Sequence, residues 1–148
     1  MHERFKTFTV LITKINRGIH KIKTAEMAEF DLKSPHVSCL YYLYKSDSLT
    51  AKELCDICAE DKSSISRSIE YLEKNGYIAC DSQAKKRYKA ALTLTEKGKQ
   101  VGGRIAEKID SVLAEASEGL TPENRKILYQ SLSLVQENLQ KICEKYGE

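Results

Sequence analysis

The stretch Asp61-Lys-Ser-Ser-Ile-Ser-Arg-Ser-Ile-Glu-Tyr-Leu-Glu-Lys-Asn-Gly76 reads as one short helix with a signal at each end. Asp61 is suited to cap its start, and Gly76 to close its end in the left-handed conformation that other residues avoid. At 100° per residue, Ile65, Ile69 and Leu72 fall on one narrow side. Ser63, Arg67, Glu70 and Lys74 fall near the centre of the other, flanked by Ser64, Ser66 and Tyr71. One side packs, and the other is free to touch a partner. The outward side of the first two turns carries small hydroxyls and one arginine, a set that can approach a DNA groove closely and offer donors to phosphates and base edges. Alone, such a face reads as an ordinary solvated helix surface, so the flanking sequence has to decide.

Upstream, Thr50-Ala-Lys-Glu53 is a capping box, in which the threonine and the glutamate satisfy each other's free amides. It opens a short helix carrying Leu54, Cys55 and Cys58, and Asp61 follows three residues later. Two helices joined by so tight a turn make a helix-turn-helix, whose second member is placed to enter a major groove. Downstream of Gly76, Ile78 and Cys80 alternate with other residues, as do Leu92 and Leu94, around the polar run Asp81 to Lys89. That pattern predicts a hairpin with a long basic tip. Read in isolation the tip is a solubilising loop. Beside a helix-turn-helix it is better read as a wing, whose Lys85, Lys86, Arg87 and Lys89 reach phosphates or a minor groove.

Farther out, Phe5, Phe8, Leu11, Ile12, Ile15, Ile19 and Ile22 recur three and four apart, predicting a long amphipathic helix that ends before Asp31. Ser34-Pro35 predicts a cap with proline at the first helical position, and a second helix packing Val37, Leu40, Leu43 and Tyr44. Thr95-Glu-Lys-Gly98 starts a fifth helix with Ile105, Ile109, Val112 and Ala116 inward. Its Gly102-Gly103 pair costs roughly 1 kcal/mol per glycine in a helix interior, which points to close packing or a bend there. After Thr121-Pro122, residues Leu128, Leu132, Val135, Leu139 and Ile142 step by four, three, four and three, a heptad seam. Seams at both ends of the chain lack an obvious internal partner, which predicts a homodimer held by Phe8, Ile12 and Ile15 together with Leu132, Val135, Leu139 and Ile142. The expected fold is mainly α with a small two- or three-stranded β-wing. A winged helix-turn-helix at 34–98 is flanked by an N-terminal dimerisation helix at 1–33 and C-terminal dimerisation helices at 99–148.

Composition agrees with a soluble globular chain: 148 residues, 41% hydrophobic and 30% charged. Charge is unevenly placed. Residues 62–89 hold seven Lys or Arg against Glu70, Glu73 and Asp81, so +4 of the overall +3 lies there and −1 elsewhere. No apolar stretch approaches the roughly 20 residues of a membrane span, and the first 24 residues are too charged for a signal peptide, which predicts a cytoplasmic protein. Five cysteines, an odd number, argue against a disulfide framework. The histidines at 2, 20 and 36 accompany no Gly-x-Ser-x-Gly motif and no phosphate-binding glycine loop, so neither an enzyme nor a cofactor is expected.

The order of elements and four pieces of sequence resemble the MarR family of bacterial winged-helix repressors over nearly the whole chain. The pieces are Leu49-Thr50-Ala-Lys-Glu-Leu54, Asp61-Lys-Ser-Ser-Ile-Ser-Arg67, Leu72-Glu-Lys-Asn-Gly76-Tyr-Ile78 and Leu94-Thr95-Glu-Lys-Gly98. The resemblance implies a homodimer that binds a near-palindromic operator in double-stranded DNA and releases it when a small ligand, a metal or an oxidant acts. By position, Ser63, Ser64, Ser66 and Arg67 would read the major groove and Arg87 would be the wing arginine. Thr50 and Lys62, with the wing lysines, complete the candidate DNA contacts. Where the family commonly carries an aspartate followed by arginines, this chain has Lys86, Arg87 and Tyr88, without the acid that braces the wing arginine.

Other readings compete at single positions. His36-x-x-Cys39 and Cys55-x-x-Cys58 match zinc-ligand spacing, but free cysteines beside Leu54 are normal core residues, and packing is the preferred reading. Redox sensors of the family tend to carry their cysteine in the first helix, where this chain has none; Cys39 and Cys143 remain candidates. Tyr41 and Tyr44 stand near the family's ligand cleft and are candidates for an apolar effector, although core packing is the commoner use of such residues. The competing function is a winged-helix module that binds protein rather than DNA, against which the local +4 charge argues.

Overall fold

Capping chemistry sets where the helices begin in the computed structural model, which describes residues 2–81, 83, 85, 86 and 89–147. The helices are α1 His2–Met27, α2 Ser34–Ser46, α3 Ala51–Cys58, α4 Lys62–Lys74, α5 Glu96–Ala116 and α6 Pro122–Glu144. Between α4 and α5 lie two short strands, β1 Ile78–Cys80 and β2 Leu92–Leu94. They pair antiparallel in the register Ile78 with Leu94, Ala79 with Thr93 and Cys80 with Leu92. Leu49 adds a one-residue bridge to Leu92, its amide donating to Leu92 O at 3.2 Å and its carbonyl accepting from Leu92 N at 2.9 Å. The mainly α architecture with a small wing is the expected one.

Residues 1–108 form one compact unit. Its middle is α2, which packs against α1, α3, α4 and β2. Leu40, Leu54 and Leu72, one from each of α2, α3 and α4, have no exposed surface. Burial on that scale stabilises by about 2 kcal/mol per side chain. Ile65, Ile78, Leu92 and Ile105 complete the same core. Helix α5 enters against the hairpin: the Thr95 hydroxyl accepts from the Gly98 amide at 3.1 Å and donates to Gly76 O at 2.6 Å.

The start of α2 differs from expectation. The helix begins at Ser34 itself, with Pro35 second, and the residue ahead of it is Lys33. The Lys33 amide would be an orphan donor there. It donates to His36 Nδ1 at 3.0 Å. The buried imidazole also stacks on Tyr71 of α4, with 4.3 Å between ring centres and 5° between planes, and the Tyr71 hydroxyl donates to Asp31 O at 3.0 Å. Tyr71 therefore faces α2 rather than flanking the outward side of α4. Burial, with the nearby Lys33 charge, holds the His36 pKa below its ordinary value. The neutral ring is thus favoured on folding. Its contribution is complete above the unfolded pKa of about 6.5 and is lost as pH falls through the lower folded value. Thermal melts between pH 8 and pH 5 should show wild-type stability declining in that window and a flatter curve for His36→Ala, which starts lower at pH 8. Parallel curves would contradict this role.

Along α1 the predicted stripe is present but uncovered: Phe8, Leu11, Ile12, Ile15, Ile19 and Ile22 are 39% to 57% exposed. Met27, at the end of the helix, is buried. The last turn of α1 is tied to α5 by the ion pair of Glu26 with Lys108, and the 3-10 turn Ala28–Phe30 that follows by that of Glu29 with Arg104 at 3.0 Å.

Residues 109–148 form a second compact unit, the end of α5 followed by α6. Gly119, at φ 84°, makes the turn, and Thr121 caps α6 by accepting from the Asn124 amide at 3.1 Å, with Pro122 in the first position. Among the described residues of α6 none is buried. Leu128, Leu132, Leu139 and Ile142 are exposed and Val135 is half-buried. Ile109 and Val112 are half-buried, but Ala116, expected inward, is exposed. A two-helix unit has no second layer of its own to cover that position. No helix among the described residues is long and apolar enough to cross a membrane.

Candidate nucleic-acid interface

Helix α3 starts with the capping box read from the sequence: Thr50 Oγ1 accepts from the Glu53 amide at 3.2 Å, and the Glu53 carboxylate accepts from the Thr50 amide at 2.7 Å. It ends at Cys58, and the chain turns through Ala59 in the left-handed region at φ 51°. Three residues separate α3 from α4, and Asp61 caps the latter. Its Oδ1 accepts from the Ser64 amide at 2.7 Å and from the Ser63 hydroxyl at 2.6 Å. Those two hydrogen bonds, with the positive charge of Arg67, pull the Asp61 carboxyl below the usual range. Ser63 and Ser64 are both held to the cap in the first turn of α4.

The two sides of α4 divide as their spacing predicts. Ile65, Ile69 and Leu72 are 1%, 6% and 0% exposed, while Ser63, Ser66, Arg67 and Glu70 are exposed and Ser64 is half-buried. Ser68 is buried, its hydroxyl donating to Ser64 O at 2.9 Å within the helix. Residues of α3 (Ala51, Lys52, Cys55), α4 (Lys62, Ile65, Ser66, Ile69, Glu70) and the strands (Cys80, Leu92) line a groove of about 790 Å³. Ile65, Ile69 and Leu92 are its buried apolar lining, and its exposed lining residues include Lys52, Lys62, Ser66 and the acid Glu70. Of the residues expected to read bases only Ser66 lines this groove, together with Cys80 and Leu92 at the base of the hairpin; Ser63, Ser64 and Arg67 are not among its lining residues.

In the hairpin tip, Lys85, Lys86 and Lys89 are exposed. The Asp81 amide continues the strand pairing to Ala91 O at 3.0 Å, and the Lys89 amide donates to Lys86 O at 3.0 Å. Arg87, the expected wing arginine, lies outside the described residues.

Residues 36–113 match the winged helix DNA-binding domain family. A MarR family transcriptional regulator from Listeria monocytogenes, solved in complex with a 26mer DNA, is 31% identical, with a TM-score of 0.77 over 86% of this chain and 85% of that one. This chain belongs to the MarR family of winged-helix transcriptional regulators. NMB1585, a MarR family regulator from Neisseria meningitidis, shares the fold at a TM-score of 0.85 and 20% identity, over 97% of this chain and 99% of that one. The HTH-type transcriptional regulator YybA of Bacillus subtilis (strain 168) is 27% identical over 90% of this chain and 89% of its own length.

Within this MarR-family chain, the candidates for other chemistry fall in separate places. His36, Cys39, Cys55 and Cys58 do not assemble as a four-ligand metal site. His36 is engaged by Lys33 and Tyr71, whereas Cys39 is buried on α2 and Cys55 and Cys58 are half-buried on α3. Among the described residues no group of three or more His, Cys, Asp or Glu could hold a metal ion. Tyr41 is half-buried, edge-on to Tyr42 at 5.2 Å, and Tyr44 is exposed and lies over Gly102 and Gly103 of α5. Neither lines the groove. Sequence reasoning passed over Lys52, which stands on the groove edge one position after the first residue of α3. Its place inside the capping box was the available signal.

Proposed function

We infer that this MarR-family regulator is a cytoplasmic homodimer that binds a near-palindromic operator in double-stranded DNA and represses transcription until an effector acts. What carries the inference is the outward side of α4, whose first two turns, begun at the Asp61 cap, carry Ser63, Ser66 and Arg67 exposed and Ser64 half-buried. In this assignment Ser63, Ser64, Ser66 and Arg67 read bases, and Thr50, Lys62, Lys85, Lys86, Arg87 and Lys89 hold phosphates and the minor groove. The Listeria relative solved with a 26mer DNA supports the same partner. The uncovered stripes, Phe8, Ile12 and Ile15 on α1 and Leu132, Val135, Leu139 and Ile142 on α6, are the surfaces a second copy covers. In this reading segments 1–33 and 99–148 join the two copies, and 34–98 carries the DNA contacts. An apolar effector would meet Tyr41 and Tyr44 on α2.

Duplex binding measured against salt tests the partner. With six or more phosphate contacts, affinity falls on the order of 10³-fold between 50 and 200 mM salt. Binding of a protein partner together with salt-independent or absent duplex binding would instead assign the module to protein recognition.

A further inference from the structure

Away from the exposed side of α4, a buried titratable group touches the reading helix without taking part in its DNA contacts. His36 is the third residue of α2, where a capping box would place glutamate or glutamine, and its Nδ1 accepts from the Lys33 amide at 3.0 Å. The ring is 8% exposed and lies flat on Tyr71 of α4, with 4.3 Å between ring centres. Tyr71 in turn donates from its hydroxyl to Asp31 O at 3.0 Å, and Asp31 holds a left-handed backbone at φ 55°. Residues 31–33, which lead from α1 into α2, are therefore fastened to α4 twice, through the stacked rings and through the phenol. Tyr71 follows Arg67 by four residues, one helical turn, so a displacement of α4 at Tyr71 is carried to the arginine.

We propose that His36 is a positioning residue for α4: its neutral ring holds the helix where its outward side reads bases, and a proton taken up by that ring loosens the hold, which makes DNA recognition sensitive to pH. The effect on recognition rests on the proposed DNA-binding function. A neutral imidazole offers one acceptor nitrogen, and the Lys33 amide uses it. An imidazolium carries donors on both nitrogens, so Nδ1–H and the Lys33 N–H would face each other and the clasp would open. The groups around the ring are Lys33, which opposes a positive charge, and Asp31, which favours one, both ahead of α2; from α4 comes the Tyr71 phenol, kept protonated by a raised pKa. Burial and Lys33 prevail, so the ring is neutral in the folded protein down to below the ordinary histidine value. DNA binding favours the clasped, neutral ring, and the complex therefore takes up the proton less readily than the free protein. Affinity is complete above the free-protein pKa, itself under about 6.5, and falls as pH drops through it, by at most about tenfold per pH unit for one proton. General charging by acid strengthens contacts to phosphate, so the expected sign is opposite to the non-specific one.

Affinities of the full-length protein for a preferred and a random duplex, measured between pH 8 and pH 5.5 at fixed salt, test the proposal. Wild type is expected to lose about three- to tenfold in affinity for the preferred duplex by pH 5.5, while binding to the random duplex holds or rises. His36→Gln keeps an acceptor for the Lys33 amide and does not titrate. It should match wild type at pH 8 and retain that affinity at pH 5.5. His36→Ala, confirmed as folded by circular dichroism, lacks the acceptor and should bind the preferred duplex about tenfold more weakly than wild type already at pH 8. Because His36→Gln retains His2 and His20, a fall that persists in that variant places the titration elsewhere and overturns the proposal. A flat wild-type profile, an equal fall on both duplexes, or wild-type affinity in His36→Ala at pH 8 overturns it as well, with sequence reading by α4 left standing. Absence of any preference between duplexes at pH 8 overturns the DNA-binding reading and the proposal with it.

Discussion

Arg67→Ala is expected to weaken binding to the preferred duplex about 10- to 100-fold and to change binding to random duplex much less. The reason is geometric. Arg67 is exposed on the second turn of α4, on the side opposite Ile65, Ile69 and Leu72, and its fork of donors suits a bidentate contact to a guanine edge. In the free protein its charge is felt by Asp61, the cap of the same helix. On the proposed assignment, removing it takes away a contact to a base, which only the correct base pair can reward. Lys85→Ala removes a charge in the hairpin tip, where a phosphate is the natural partner. It should weaken every duplex alike and reduce the salt slope by about one. Titrations of both variants against a specific and a random duplex separate the two roles. Equal losses on both duplexes for Arg67→Ala would remove it from the reading set.

The largest effect on stability is expected at Gly98. A Cβ built there would lie 2.0 Å from Tyr77 O and 3.2 Å from Leu94 Cδ2. The closest atom belongs to backbone that is already committed, because Tyr77 O accepts from the Thr95 amide at 3.0 Å. No side chain can rotate away, so α5 has to lift off the hairpin. Gly98→Ala should cost about 3 kcal/mol, the upper range for overpacking, and lower the melting temperature by roughly 10 °C in a chain of this size. Gly103→Ala is the internal control. Its Cβ would meet the Tyr44 ring no closer than 3.4 Å, ordinary contact, and the gain in helix propensity is roughly 1 kcal/mol. That variant should melt at or above the wild-type temperature. Similar losses in both would mean that the approach of α5 to Tyr77 does not carry the hairpin.

These two glycines show where sequence reasoning stops. The pair 102–103 signalled close packing, and both residues do lie against Tyr44, but the tighter contact is at Gly98, which carried no packing signal of its own. Local chemistry was readable. The capping box at Thr50, the cap at Asp61, the left-handed Gly76 and the alternation around 78–80 and 92–94 each act over a few residues, and the winged fold follows from them in order. The buried side of α4 was readable for the same reason, since Ile65, Ile69 and Leu72 obey the helical period. What escaped depends on residues brought together from distant parts of the chain. Tyr71 sits where the period allows an outward side chain, yet the His36 ring and Asp31 O draw it toward α2. His36 and the cysteines were spaced as metal ligands, but spacing along a chain does not fix which way helices face each other. In the fold the histidine accepts from the Lys33 amide and stacks on Tyr71 instead, and Cys39 is buried in α2. The groove between α3, α4 and the strands is likewise a product of packing, and no motif announces it.

The outward side of α4 is assigned here to reading a DNA sequence. Selection of bound duplexes from a random library by the full-length protein tests it most directly. The expected result is enrichment of one near-palindromic sequence with half-sites about one helical turn apart, and loss of preference at defined positions in each half-site for Arg67→Ala. Recovery of duplexes without a shared sequence, or the same sequence with equal preference from wild type and Arg67→Ala, would contradict it.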